Sequence, residues 1–348
     1  MNSTNEFILP FSALIGLSDP KLALILTIID PKIGGVLISG PKGTGKSTLV
    51  RALNSVLPQI RVRKCSFQCS PENPNMMCED CREEYMTKNS ILDHSWRQMK
   101  IVTLPLGATE DRVIGSLDIE KIIESGIEAL SPGILAYVNQ DILYIDEINL
   151  LPDHLVDTIL DCAASGWNII ERENISIQHP SNFILVGTMN PEEGDLRPQL
   201  LDRLSLYAEA GNVQDIQERI RVIELNLVLE KANGQLQKYR EMDDEIQERI
   251  DNARKLLPSV QLSENNKKYI STICMNLKVD GFRSDIVLAR SSRAKAAFEG
   301  RIAVTNEDIL NCAYLTLLHR TREGGMREPP SRLEINKICS KVFDKKDK

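Results

Sequence analysis

Eight consecutive residues, Gly40-Pro41-Lys42-Gly43-Thr44-Gly45-Lys46-Ser47, have the form G-x-x-x-x-G-K-S. Such a loop bends so that successive backbone N–H groups and the start of the next helix face phosphate oxygens. Gly40, Gly43 and Gly45 permit that path, Lys46 reaches the β- and γ-phosphates, and the Ser47 hydroxyl completes part of a Mg2+ shell. The predicted nucleotide-binding segment runs from Gly40 to Thr48. Chance alone gives this pattern in about one chain in a hundred, so a second feature decides. The apolar run Ile142-Leu143-Tyr144-Ile145 ends in Asp146-Glu147. Asp146 there holds Mg2+ through water, and Glu147 orients and polarises the attacking water, as phosphoryl transfer requires. ATP and Mg2+ are the expected cofactors.

Two residues extend this site, each with a plainer reading beside it. Asn190 ends an apolar run and is placed to sense the γ-phosphate, although an Asn before Pro191 also reads as a turn residue. Arg203, after Leu200-Leu201-Asp202, is placed to serve a neighbouring subunit's nucleotide; the plainer reading is a surface ion pair with Asp202. A separate chemistry is offered by Cys65-x3-Cys69-x8-Cys78-x2-Cys81. Four thiolates within 17 residues can close around tetrahedral Zn2+, and Cys78-Glu79-Asp80-Cys81 has knuckle spacing. Zn2+ is the first reading, an iron–sulfur cluster the second, and uncoordinated or redox-active thiols the third. His94 lies nearest in sequence, but four cysteines already complete the ligand set.

The elements that position these groups follow from periodicity. Gly35 to Ser39 reads as a buried strand, and Ser47 to Leu57 as a helix with Leu49, Ala52, Leu53 and Val56 on one face. Residues 58 to 100 are polar and weakly periodic and read as an insertion. Ile142 to Ile145 is a second buried strand. A helix follows from Asp153, its predicted cap, with Leu155, Val156, Ile159 and Leu160 as its apolar face. Ile169 to Ile177 reads as two β arms around a polar turn, and Phe183 to Gly187 as a third buried strand. Strands alternating with helices predict an α/β fold, a P-loop NTPase with a parallel sheet flanked by helices. After Gly211 helical patterns take over, and three or four helices ending near Phe343 form a smaller all-helical C-terminal domain.

The chain has 348 residues and a formal net charge of −7, which offers no global attraction to phosphate backbones or anionic lipid. The basic run Arg283, Arg290, Arg293, Lys295 and Arg301 has no interleaved aromatics, which argues against a nucleic-acid groove. No apolar run approaches the roughly 20 residues of a membrane-spanning helix, so a cytoplasmic protein is expected. Eight cysteines in such a chain read as reduced thiols or metal ligands rather than disulfides. Disorder is expected only at the ends, including Met1 to Glu6.

Longer segments carry a resemblance. Phe11-Ser12-Ala13-Leu14-Ile15-Gly16, Ile29-Asp30-Pro31-Lys32-Ile33-Gly34-Gly35-Val36, Leu104-Pro105-Leu106-Gly107-Ala108-Thr109-Glu110-Asp111-Arg112 and Asn190-Pro191-Glu192-Glu193-Gly194-Asp195-Leu196-Arg197-Pro198-Gln199-Leu200-Leu201-Asp202-Arg203 closely resemble the small ATPase subunit of magnesium chelatase. Val279-Asp280-Gly281-Phe282-Arg283-Ser284-Asp285 extends the likeness into the helical domain. The resemblance implies an AAA+ subunit in a ring, a hexamer, with ATP at subunit boundaries. Lys46, Asp146, Glu147 and Asn190 match the family's two Walker motifs and first sensor, Arg203 its trans-acting finger, and Arg283 its second sensor. Gly107 to Gly133 matches a helical insertion and Trp167 to His179 the hairpin before the first sensor. The implied division is an AAA+ domain over 1–225 with a cysteine-containing insertion at about 60–100, a helical linker over 226–260 and a helical lid over 261–348.

In that family the ATPase ring, with a larger related subunit bearing an integrin-like domain, drives a separate tetrapyrrole-binding catalytic subunit that inserts Mg2+; related subunits serve Co2+ insertion. The expected function is therefore the motor of a metal chelatase. Photosynthetic members generally have an acidic, cysteine-free segment where this chain has its four cysteines. Two rival readings remain: a MoxR-type AAA+ chaperone that matures a metalloenzyme, and a nucleotide-gated binding protein whose cysteine-bound metal senses redox state.

Overall fold

The computed structural model describes residues 9–88, 93–117, 130–172, 175–194, 196–229 and 236–344. Met1 to Glu6, residues 118–129 of the expected helical insertion, and 230–235 of the expected linker lie outside the described residues. In chain order the strands are β1 (Val36–Ser39), β2 (Gln59–Val62), β3 (Ser95–Gln98), β4 (Ile101–Leu104), β5 (Gly115–Leu117), β6 (Leu130–Pro132), β7 (Ile142–Ile145), β8 (Trp167–Arg172), β9 (Ile175–Pro180), β10 (Ile184–Met189) and β11 (Leu206–Glu209). The helices that concern the sites are α1 (Ser18–Ile29), α2 (Lys46–Ala52), α3 (Glu79–Lys88), α4 (Asp153–Ser165), α5 (Pro198–Arg203), α6 (Ile216–Leu229), α7 (Gln237–Leu256), α8 (Glu264–Leu277), α9 (Arg283–Phe298), α10 (Asn306–Leu317) and α11 (Arg332–Phe343). A parallel five-stranded sheet has the order β11-β1-β10-β7-β4. Apolar residues on both faces of such a sheet must be covered, which is why β1, β7 and β10 are buried at every position.

The chain divides into two compact units, one of Met1–Leu57 with Thr188–Lys348 and one of Pro58–Gly187. In the first, β1 pairs in parallel with β11 from Val36↔Leu206 to Ser39↔Glu209. Asp243 of α7 accepts the Phe11 and Ser12 backbone N–H groups, both at 2.7 Å, and the Ser55 hydroxyl at 2.5 Å. One buried carboxylate thus ties the N-terminal segment and the end of the loop–helix element to α7. The C-terminal helices α8 to α11 form the all-helical lid around Ile273, Leu277, Leu288, Ile309 and Ile335. Ser263, Thr305 and Ser331 cap α8, α10 and α11 by accepting backbone N–H groups, and Thr305 with Asp308 closes a capping box.

In the second unit β7 is flanked by β4 and β10, from Ile101↔Ile142 and from Ile184↔Ile142. The residues read as an insertion contain an antiparallel β2–β3 ladder and α3. α4 buries Leu155, Val156, Ile159 and Leu160 as expected. Its cap differs: Pro152 is the N-cap and its carbonyl accepts from Leu155 and Val156, so Asp153 stands as the first helical residue. The β arms form a hairpin, β8 against β9, from Trp167↔Pro180 to Arg172↔Ile175. Gly166 enters it in the left-handed region at φ 74°, closing α4, and a Cβ there would lie 2.3 Å from Met76 Cε. Among the described residues no helix is long and apolar enough to cross a membrane.

Candidate nucleotide and metal sites

In the first unit the segment Gly40 to Ser47 runs from the end of β1 into α2. Gly43 and Gly45 have φ of 78° and 84°, a region costly to side chains. Gly40 is required for a different reason, since a Cβ would lie 2.2 Å from the Ala210 carbonyl oxygen. Gly45 caps α2 in the left-handed conformation, leaving the helix's first N–H groups aimed out of the loop. Lys46 Nζ donates to the Gly40 and Pro41 carbonyls at 2.5 and 2.7 Å, which keeps the ammonium over the loop. Lys42 pairs with Glu193. Beside Gly43 to Gly45 and Thr48 lies a cavity of about 480 Å³, lined on its apolar side by Ile15, Leu17, Val213 and Ile223. Its size and lining suit a base next to a phosphate loop. Asn190 is buried at the end of β10, and its Oδ1 accepts from Glu192 N at 3.3 Å. The turn role is thus present.

Arg203 ends α5, and Asp202 before it is held from two sides. The Asp202 carbonyl accepts from Arg283 at 3.2 Å and from Arg320, whose guanidinium also reaches the Asp202 carboxylate at 3.3 Å. The Asp202 carboxylate pairs with Arg320, and both readings of Arg203 stand. Arg320 is fully buried and further donates to the carbonyls of Thr316 and Ser205 at 3.0 and 2.9 Å. The Arg283 guanidinium thus reaches the residue next to Arg203. The rest of the basic run is engaged within the unit: Arg290 with Asp30, Arg293 with the Leu257 and Val260 carbonyls, Lys295 with Glu299 and Arg301 with Asp308.

His319, next to Arg320, is buried and contacts the Leu204 carbonyl through Nε2 at 2.9 Å, while Nδ1 has no partner. That contact requires a proton on Nε2, so the neutral imidazole carries none on Nδ1. Burial and then the neighbouring Arg320 charge hold its pKa well below the ordinary histidine value. The unfolded chain gains a proton near pH 6.5 that the native state refuses, so stability is lost as pH falls below that value, by about 1.4 kcal/mol per pH unit. His319→Gln keeps an amide donor for Leu204 and removes the titration. Denaturant unfolding at pH 7.5 and 5.5 is expected to show a smaller acid loss in this variant; equal losses refute the assignment.

In the second unit Asp146 and Glu147 leave the end of β7. Tyr144 and Asp146 point to one side of the strand, and the Tyr144 hydroxyl donates to Asp146 Oδ1 at 2.8 Å. Glu147 adopts φ 53°, ψ 54°, the left-handed region. That conformation is uncommon for a non-glycine residue and is characteristic of sites where a side chain is aimed for function. Beneath β7, Asp141 is buried and takes both arms of Arg97 at 2.7 and 2.9 Å as well as Lys100 N at 2.9 Å. Burial raises its pKa and the Arg97 hydrogen bonds oppose the rise.

The four clustered cysteines converge, their Sγ atoms all within 4.8 Å of one another. Cys69, Cys78 and Cys81 are buried and Cys65 partly so; none of the eight cysteines forms a disulfide. Backbone N–H groups of Cys69 and Cys78 donate to the sulfurs of Cys65 and Cys69 at 3.3 and 3.2 Å. Thiol hydrogen bonds from Cys69 and Cys78 lower the pKa of Cys65, while their own pKa values rise, that of Cys78 to about 12. His94 is not part of the group and stands edge-on to Trp96.

A phosphate loop opening a helix, an acidic pair ending a buried strand, a parallel sheet and a helical lid define an AAA+ ATPase. The AAA lid domain family matches residues 267–338. The family described as magnesium chelatase, subunit ChlI, matches residues 12–200, more than half of the chain. This chain is 49% identical to a magnesium-chelatase subunit ChlI homolog of Methanocaldococcus jannaschii, over 95% of this chain and 89% of that one. It is 47% identical to the magnesium-chelatase subunit ChlI of Chlorella vulgaris, over 97% of this chain and 95% of that one. A solved structure of the complex between subunits BchI and BchD of magnesium chelatase contains a chain 39% identical to this one, with a TM-score of 0.53, covering 95% of this chain and 98% of that chain. The chain belongs to the magnesium chelatase ChlI subunit family.

Proposed function

We propose that this chain is the ATP-hydrolysing motor of a metal chelatase in tetrapyrrole biosynthesis, working as a ring, a hexamer, in the cytoplasm. Lys46 and Ser47 hold the phosphates and Mg2+, Asp146 orients the Mg2+ shell, and Glu147 polarises water against the γ-phosphate. Asn190 reports the γ-phosphate through its amide, Arg203 enters the neighbouring subunit's site, and Arg283 adds a second charge from the lid. The observation that carries this reading is the complete set of Lys46, Asp146, Glu147, Asn190 and Arg203 within a chain nearly half identical to ChlI subunits. The BchI–BchD complex supports a larger AAA+ partner for this chain too, with a separate tetrapyrrole-binding catalytic subunit beyond it. Mg2+ is the metal to be inserted and Co2+ the second candidate. Mixed with those two subunits, MgATP and protoporphyrin IX, the chain is expected to support Mg2+ insertion, seen as the porphyrin's changed absorbance, and Lys46→Ala to support none. ATP turnover without insertion of either metal into protoporphyrin or a corrinoid overturns the chelatase reading.

A resident Zn2+ at Cys65, Cys69, Cys78 and Cys81 belongs to the same reading. A tetrahedral ion with Zn–S bonds of about 2.3 Å places its sulfurs about 3.8 Å apart, a small contraction from the observed convergence. An iron–sulfur cluster stands its irons and sulfides between the thiolates and needs them spread wider.

A further inference from the structure

Between Cys65 and Cys81 the only helix before α3 is one 3-10 turn, Pro74–Met76. The stretch buries Pro71 and a small cluster of Cys69, Met77, Cys78 and Cys81, with Cys65, Phe67 and Tyr85 packed on that cluster. Ordering each residue costs conformational entropy, which burial of large apolar side chains offsets. So few apolar groups leave the stretch short of stability, and an ion binding four thiolates supplies what is missing.

The ordered stretch reaches the base of the β8–β9 hairpin. The Phe67 ring stacks on His179 with centroids 4.9 Å apart and planes 10° from parallel. His179 stands opposite Asn168 in the ladder, and its Nε2 is 2.9 Å from Asn168 Nδ2, which also donates to the Ile114 carbonyl at 2.7 Å. The Arg82 guanidinium lies 5.7 Å over the Trp167 ring, and Met76 packs where Gly166 lacks a side chain. On the other side, Asn139 and Gln140, just before β7, donate to the Phe67 and Gln68 carbonyls at 2.7 and 2.6 Å. The cysteine turn is therefore clasped between the approach to β7 and the first two residue pairs of the hairpin.

We propose that the ion held by Cys65, Cys69, Cys78 and Cys81 is a strut that fixes the base of the β8–β9 hairpin, through Phe67 on His179 and Arg82 on Trp167. The inference rests on the zinc reading given above. In chain order the hairpin lies between Glu147, through α4, and Asn190, through β10. A hairpin pinned at its base moves as one piece with those elements, whereas one released at its base absorbs their movement locally. Metal occupancy thereby sets how stiffly a nucleotide-dependent shift reaches the base of the hairpin.

The full-length protein tests this. Metal analysis is expected to find one zinc per chain; no metal overturns both the zinc reading and the strut, and iron with acid-labile sulfide overturns the identity of the ion. Removing zinc with 1,10-phenanthroline is expected to speed hydrogen exchange at the amides of 167–171 and 176–179 by about tenfold or more. The amides of α8 stay unchanged, and added Zn2+ but not Mg2+ restores protection. Phe67→Ala combined with Arg82→Ala leaves all four thiols in place. It is expected to keep a full complement of zinc and still show the faster hairpin exchange. Full zinc with unchanged hairpin exchange in this variant overturns the strut while leaving the zinc reading standing.

Discussion

Arg203→Ala is expected to lower ATP turnover by about 10³- to 10⁵-fold, the range an arginine finger supplies, while MgATP affinity changes little. The argument is electrostatic. Charge builds on the transferring phosphoryl group and its leaving oxygen, and a guanidinium placed there acts on the transition state more than on the ground state. Loss of turnover without loss of binding is the signature of such a group. The proposal that Arg203 acts on a neighbour makes a sharper claim, read by mixing two inactive variants. Lys46→Ala has a damaged phosphate loop and an intact finger; Arg203→Ala has the converse. In a mixed ring, some boundaries unite the intact loop of one with the intact finger of the other, and turnover reappears. Inactive mixtures that still form rings exclude a finger acting in trans, and an Arg203→Ala ring with full turnover excludes a finger at all.

What the sequence disclosed and what it withheld divide along a physical line. Local signals were legible: the glycines of Gly40 to Ser47, the apolar run ending at Asp146, the α4 face and the two hairpin arms each announce themselves within about ten residues. The strand Ile142–Ile145 agrees residue for residue. The four cysteines were legible as a group because their spacing alone brings sulfurs together, and the structure gathers them. Long-range pairing was not legible. β11 has four residues and half-buried positions, and nothing near it in sequence signals that β1 is its partner. The β2–β3 ladder was hidden because its strands flank the cysteine segment and carry alternating charged residues, as in Arg61 and Arg97. Arg97 with Asp141 and Arg320 with Asp202 are contacts across 44 and 118 residues, so no window could contain both partners. The strained Glu147 had no composition signal either, since only the backbone reveals a left-handed conformation.

The second large effect is expected at Arg320, a residue with no motif to mark it. Arg320→Met should cost about 2–5 kcal/mol of stability, because buried carbonyls that lose their donor cost about 1–3 kcal/mol each. The fully buried guanidinium satisfies the carbonyls of Thr316, Ser205 and Asp202 and the Asp202 carboxylate at once. Methionine fills much of the volume but leaves the Thr316 and Ser205 carbonyls without this donor and Asp202 held by Arg283 alone. Asp202→Asn is the contrasting variant: it keeps the backbone carbonyl that Arg320 and Arg283 both use, and the partly exposed carboxylate contributes only about 0–1 kcal/mol. The kinetic consequence follows from position. Asp202 is joined by a peptide bond to Arg203, so releasing its carbonyl frees the end of α5, and a displacement of about 1 Å in a positioning group can cost about 10² in rate. At a temperature where it stays folded, Arg320→Met is expected to bind MgATP normally and turn it over about a hundredfold more slowly, with Asp202→Asn close to the parent in both respects. Denaturant unfolding separates the two effects. If Arg320→Met loses less than about 1 kcal/mol, the buried network is not what holds the segment; if it is destabilised yet turns over ATP at the parent rate, the network holds the fold and leaves Arg203 to be positioned by something else.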